Sequence, residues 1–219
     1  MTAARREPFG SRTAVLASGG VESCALLCAC LVRCDEVTPV YVRSGLRWEK
    51  AELFWLAKLL RRARSPRLKP LKVLDLPMRD LYAKHWSITG RKVPGAASPD
   101  QAVYLPGRNI ALLSKAAIFA AGKNIPFIEI GVLKGNPFSD SSPSFLSKFS
   151  RVLSEGLGKP IAIRAPLQKL KKEEVIRAWK KLPFELTFSC IRPKGLEHCG
   201  ACNKCAERKR AFLAAGLKF

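Results

Sequence analysis

The chain has 219 residues, 47% of them hydrophobic, which is enough to bury a full core in one domain with a small appended lobe. Its 39 basic and 17 acidic residues give a formal charge of +22. That excess suits a polyanionic partner such as RNA or a phosphorylated cofactor, and equally a solvated basic surface. No stretch is long and apolar enough to cross a bilayer, no internal repeat or low-complexity tract is visible, and Met1 to Ser11 lacks the apolar run of a signal peptide. A cytoplasmic, reduced compartment is the expectation.

In chain order, Ala14 to Ala17 is a short apolar run that stops at Ser18-Gly19-Gly20, and Ser23 to Val32 is almost wholly apolar. This predicts a strand, a glycine turn and a buried helix. Thr38 to Val42 is the second strand. Trp48 to Arg64 repeats Ala51, Leu56, Leu59 and Leu60 at helical spacing, and Val73 to Leu76 is the third strand. Ile110 to Ala121 predicts a helix, Pro126 to Val132 a fourth strand, Ile161 to Ala165 a fifth, and Lys171 to Lys181 a further helix. Trp86 to Val103 and Gly135 to Ser144 are rich in Pro, Gly and Ser and fit neither period, so they are expected as loops. Strands alternating with helices predict an α/β, doubly wound, mainly parallel sheet that binds ligands at the carboxyl ends of its strands.

Two constellations carry chemistry. Cys190, Cys199, Cys202 and Cys205 are spaced C-x8-C-x2-C-x2-C in a Lys-rich stretch. Four thiolates so placed predict a closed, structural Zn2+ site, with Gly200 permitting the tight turn between two ligands. Residues 12 to 180 then form the catalytic domain and 181 to 219 the zinc lobe. The second constellation, Ser18-Gly19-Gly20-Val21-Glu22-Ser23, joins a strand to a buried helix. Its glycines let backbone approach an anion, its serines offer hydroxyls, and the helix start supplies free N–H groups. It is neither a Walker loop nor a dinucleotide fingerprint.

Ser-Gly-Gly-x-Asp-Ser after the first strand resembles the pyrophosphate loop of the adenine-nucleotide alpha hydrolases, or PP-loop superfamily. With the four-cysteine spacing, the chain is similar to the 7-cyano-7-deazaguanine synthase family. Further points are Leu105-Pro106-Gly107-Arg108-Asn109, the stretch from Gly131 to Phe145, Pro166 with Lys172 six residues on, and Arg208 leading into Phe212. The resemblance implies a ligase that uses ATP, with Mg2+, to activate 7-carboxy-7-deazaguanine. Ammonia gives an amide, and a second ATP converts that to the nitrile. Ser18, Gly19, Gly20, Glu22, Ser23, Arg108 and Asn109 would bind the nucleotide, Arg108 and Lys172 would contact phosphate, and Asp140 would orient the base. The implied assembly is a homodimer, with a nucleic-acid partner left open by the net charge but not favoured.

Three positions depart from the family pattern. Glu22 stands for the loop aspartate and Trp48 for a common histidine, with Glu52 retained four residues on. The substrate loop reads Phe138-Ser139-Asp140-Ser141-Ser142, two residues shorter and without its usual cysteine and arginine. Other readings from these residues are a tRNA-modifying enzyme of the superfamily or a relative that uses another amine. A tRNA thiolase would carry a mid-chain cysteine pair, yet no cysteine lies between Cys34 and Cys190. Cys24, Cys28, Cys30 and Cys34 are expected as helix packing, and neither His85 nor His198 as catalytic.

Overall fold

A computed structural model describes residues 11 to 218, so the reading of Met1 to Ser11 falls, Ser11 apart, outside the described residues. β1 (Arg12–Leu16) leads into α1 (Val21–Arg33), β2 (Glu36–Arg43), α2 (Glu49–Arg62) and β3 (Lys72–Asp75). Two one-turn helices follow, α3 (Arg79–Tyr82) and α4 (Trp86–Thr89). α5 (Arg108–Gly122) then leads to β4 (Phe127–Glu129), and α6 (Pro143–Leu157) to β5 (Ala162–Arg164). α7 (Lys172–Ala178) and α8 (Asn203–Ala214) finish the chain.

All strand pairs are parallel, in the order β3-β2-β1-β4-β5. The chain builds outward from β1 on one side, then returns across it to build the other. The strand order therefore reverses between β1 and β4, and a crevice opens at their carboxyl ends. Alternation along the strands fills a core on each face. Ala14, Val40, Val42 and Ile128 pack with Leu113 and Ala117 of α5 on one side. Val15 and Val37 pack with Leu26 and Leu27 of α1 and Val175 of α7 on the other. Each fully buried leucine contributes about 1.5–3 kcal/mol relative to exposure.

The five strands and the helices α1, α2, α5 and α7 lie where periodicity places them, with ends displaced by a few residues. β4 is shorter than expected. Beyond Ile130 the backbone leaves the ladder at Gly131, where a Cβ would stand 3.0 Å from the Glu22 Cβ, so the chain bends past the phosphate loop. The expected loop 135 to 144 ends early, because Pro143 opens the 15-residue α6, an element that periodicity does not predict. Ser142 accepts from the Phe145 N–H at 3.2 Å, Pro143 occupies the first turn, and Gly158 ends the helix at φ 60°. Its serines concealed a face of Phe145, Leu146, Phe149 and Leu153 that packs on the sheet. Within the expected loop 86 to 103, α4 is capped by His85, whose Nδ1 accepts from Ser87 N at 3.3 Å.

The C-terminal segment is bound to the sheet domain. Ala211 and Phe212 of α8 join the core shared with α1 and α7. Arg208 donates to Thr187 Oγ1 and the Phe184 carbonyl, both at 2.7 Å. Three of the α1-region cysteines, Cys24, Cys30 and Cys34, are buried in these cores. Among the described residues only the C-terminal four form a cluster able to hold a metal.

Candidate active site

A cavity of about 700 Å³ occupies the crevice, large enough for a nucleotide and a second substrate. Its floor is the phosphate loop. Gly19 has φ +79° and lies with its virtual Cβ 3.3 Å from Leu56, so only glycine fits there without strain. Gly20 precedes α1 without a side-chain cap, which leaves the first-turn N–H groups facing the cavity mouth. Ser18 Oγ accepts from Gly20 N at 3.4 Å, and Ser23 Oγ donates to the Gly20 carbonyl at 3.1 Å. Both serines line the cavity, and Ser23, which is buried, also holds the turn.

Glu22 and Lys172 do not stand free. The Lys172 ammonium pairs with Glu22 Oε1 at 2.8 Å and also with Glu207 of α8. Burial pulls this ammonium down, and the two carboxylates outweigh it, holding Lys172 above its ordinary value. Glu207 is disfavoured by burial yet held down at about 2 by Lys172 and Lys204. Lys172 thus lies in the cavity wall between two carboxylates, and the expected contact with phosphate would be made from within that charge cluster. Lys134, Lys171 and Arg210 add a cationic rim to the cavity, with no ion pair to another of the described residues. Glu207 escaped sequence reasoning, although it is the one acid in the basic run from Lys204 to Arg210.

α5 begins at Arg108, two residues earlier than expected, because Asp140 anchors it: the carboxylate accepts from Asn109 N at 3.0 Å and Asn109 Nδ2 at 3.1 Å. This projects Arg108 into the cavity with its Nε buried and without a hydrogen-bond partner among the described residues. Opposite stand Tyr41 and Glu52, whose Oε2 accepts from the Tyr41 hydroxyl at 2.7 Å. Burial pushes the Glu52 carboxyl up to about 7, against the pull of Arg108 and Tyr41. Trp48 lies on the same wall, stacked on Trp86 at 5.6 Å and 20°. Tyr41 and Trp86 gave no sequence signal, since a tyrosine in a strand and a tryptophan in a loop are common.

Asp140 itself is not on the large cavity. It lines a side cavity of about 60 Å³ that shares Arg108, Asn109 and Phe138 with the large one. The loop thus brings Asp140 and Asn109 together at the side cavity.

The metal thiols lie next to this crevice. All four Sγ atoms are within 4.8 Å of one another, with Cys190 to Cys202 at 3.9 Å and Cys199 to Cys205 at 4.0 Å. A tetrahedral shell with metal–sulfur bonds of about 2.3 Å spaces its sulfurs by about 3.8 Å, so the donors fit Zn2+. The N–H groups of Arg192 and Cys199 point at Cys190 Sγ, at 3.3 and 3.4 Å, and favour the thiolate. Gly200 turns between ligands at φ +74°. His198 faces away from the cluster, with Nε2 accepting from Ser189 N at 3.2 Å and the ring 4.6 Å from Phe188.

A reversed parallel sheet with this loop at its switch point defines an ATP-using enzyme of the adenine-nucleotide alpha hydrolase type. Residues 12–216 match the family described as queuosine biosynthesis protein QueC, and the chain belongs to that family. It is 32% identical to the 7-cyano-7-deazaguanine synthase of Leptospira interrogans, over 97% of this chain and 93% of that one. The enzyme of that name from Methanocaldococcus jannaschii is 30% identical, over 92% and 94%. Among solved structures, a 4-thiouridine synthetase in complex with RNA and bound ATP shares the fold, with a TM-score of 0.53 and 16% identity over 94% of this chain and 50% of that one.

Proposed function

We propose that this protein is an ATP-dependent 7-cyano-7-deazaguanine synthase acting on 7-carboxy-7-deazaguanine and ammonia. The observation that carries the reading is the crevice, where a glycine-rich phosphate loop faces the buried Arg108 Nε, which has no hydrogen-bond partner among the described residues. Family membership supplies the substrate class.

In the first half-reaction an oxygen of the acid attacks the α-phosphorus of ATP and pyrophosphate leaves. The α1 N–H groups and Arg108 are placed to hold charge on the departing phosphates, and the basic rim steers the polyanion in. Ser18 positions the phosphate through its hydroxyl. Lys172 acts on the loop by fixing Glu22. The wall of Trp48 and Trp86 lies where a planar bicycle packs. Ammonia displaces AMP, and the resulting amide oxygen is activated by a second ATP and lost. Glu22, the carboxylate of the loop, would hold a magnesium ion accompanying ATP, which would supply positive charge to the leaving pyrophosphate.

Cys190, Cys199, Cys202 and Cys205 would hold zinc, which supplies a closed structural crosslink. The same reading makes the protein a homodimer of the cytoplasm, with residues 12 to 180 as the catalytic domain and 181 to 219 as the zinc lobe. No helix among the described residues is long and apolar enough to cross a membrane. The basic excess does not require RNA. Arg67 donates to the Leu31 and Val32 carbonyls at the end of α1, and Lys69 pairs with Glu36 at 3.2 Å, so part of the charge is structural.

The test is incubation with ATP, magnesium, ammonium and 7-carboxy-7-deazaguanine, following AMP and product mass. AMP release with formation of the nitrile is expected. Release that requires RNA, or a different amine, would overturn the reading.

A further inference from the structure

The reaction proposed above consumes ammonia, and the side cavity is a compartment of a size suited to so small a species. Its volume of about 60 Å³ admits a few water-sized molecules and excludes a purine-like bicycle. It borders the large cavity through Val103, Leu105, Arg108, Asn109 and Phe138, and adds Tyr104 and Asp140 of its own.

Its lining is suited to a small cation. Asp140 is 5% exposed, and each carboxylate oxygen accepts one bond from Asn109, which leaves a lone pair on each for a further donor. Tyr104 and Phe138 stack with centroids 5.0 Å apart and 30° between planes, so two aromatic rings also border the space. A carboxylate beside aromatic rings attracts a compact cation by charge and by ring quadrupole together. Arg108 lines both cavities, so the Asp140 carboxylate offsets its charge in the smaller one.

We infer that this side cavity is the ammonium site and that Asp140 holds the nucleophile rather than the deazapurine. The inference rests on the synthase reading. Ammonium delivers its nitrogen at the edge of the large cavity after losing one proton to water. The nitrogen lone pair then forms the C–N bond to the acyl carbon, the acyl C–O bond to AMP breaks, AMP takes that electron pair, and the second proton passes to solvent.

Acid-dependent exchange of pyrophosphate into ATP needs no nitrogen donor, so it is measured beside the ammonium dependence of AMP release. Asp140→Asn should raise the KM for ammonium by about tenfold, the equivalent of losing one modest ionic contact, with the KM for the acid unchanged. Because Asp140 also anchors Asn109, Tyr104→Leu serves as a second variant that leaves both of those bonds in place. It should raise the ammonium KM by about threefold. An unchanged ammonium KM in both variants overturns the site, as does a rise confined to the KM for the acid, which would assign Asp140 to the base. A wild-type protein without acid-dependent exchange overturns the synthase reading and this site with it.

Discussion

The backbone N–H of Phe188 donates to the carbonyl of Gly19 at 2.8 Å, joining the segment that leads into Cys190 to the turn of the phosphate loop. A second link runs from α8, where Glu207 lies two residues past Cys205 and reaches Lys172 and through it Glu22. The metal cluster is thus fastened to both ends of the loop. Stripping metal from the four thiols with a chelator should lower the melting temperature and also weaken ATP binding by about tenfold, since the loop N–H groups are no longer pre-set. Calorimetric titration with ATP before and after chelation checks this, and unchanged affinity in a still-folded apo protein would contradict it.

Glu207 sets a pH dependence. Its folded value, held at about 2 against an ordinary 4.5, means that its contribution is fully present above pH 4.5 and is lost as pH falls towards 2. Glu207→Gln should cost about 2–3 kcal/mol at pH 7, with Lys172 left beside Glu22 alone. Urea melts of both proteins from pH 7 to pH 3 should show that gap closing as acid is added.

Glu52 has the opposite sign. Burial raises its carboxyl from 4.5 to about 7, so the folded state binds this proton more tightly than the unfolded one. Stability from this group is greatest below pH 4.5 and falls as pH rises to 7. Glu52→Gln keeps an acceptor for the Tyr41 hydroxyl and should be more stable than the wild type at pH 8 by about 2 kcal/mol, with little difference at pH 4.5. Paired melts at the two pH values decide it, and a destabilised variant at pH 8 would reverse the assignment.

Arg108 is held by the Asp140–Asn109 anchor at the start of α5. Arg108→Lys retains charge and loses the planar fork, and should slow AMP release by about a hundredfold while metal content per chain stays at the wild-type value. Steady-state assays with elemental analysis read both quantities. Loss of metal together with activity would indicate a folding defect instead.

Much of the scaffold was legible because its elements repeat. The apolar run from Ala14 to Ala17, the glycine stop and the buried helix after it follow directly from period and turn chemistry. α6 was not legible, since Ser142, Ser144, Ser147, Ser150 and Ser154 dilute a period that Phe145, Phe149 and Leu153 carry. Its Ser142-Pro143 start and Gly158 stop were the available signals. In the site, Ser18, Arg108 and the four cysteines were found by motif. Tyr41, Trp86 and Glu207 were not, because their places in the cavity depend on contacts between segments far apart in the chain.

By itself, the sequence determined the parallel α/β class, the anion-binding turn after the first strand and the four-thiol donor set. Each is encoded in residues close in the chain, where periodicity, backbone freedom and ligand chemistry act locally. Only the tertiary structure decided that Lys172 lies between Glu22 and Glu207, that Asp140 turns to Asn109 and a side cavity, and that the metal cluster is tied to the phosphate loop. Those outcomes depend on charge pairing and burial across long sequence separations, which no local pattern specifies.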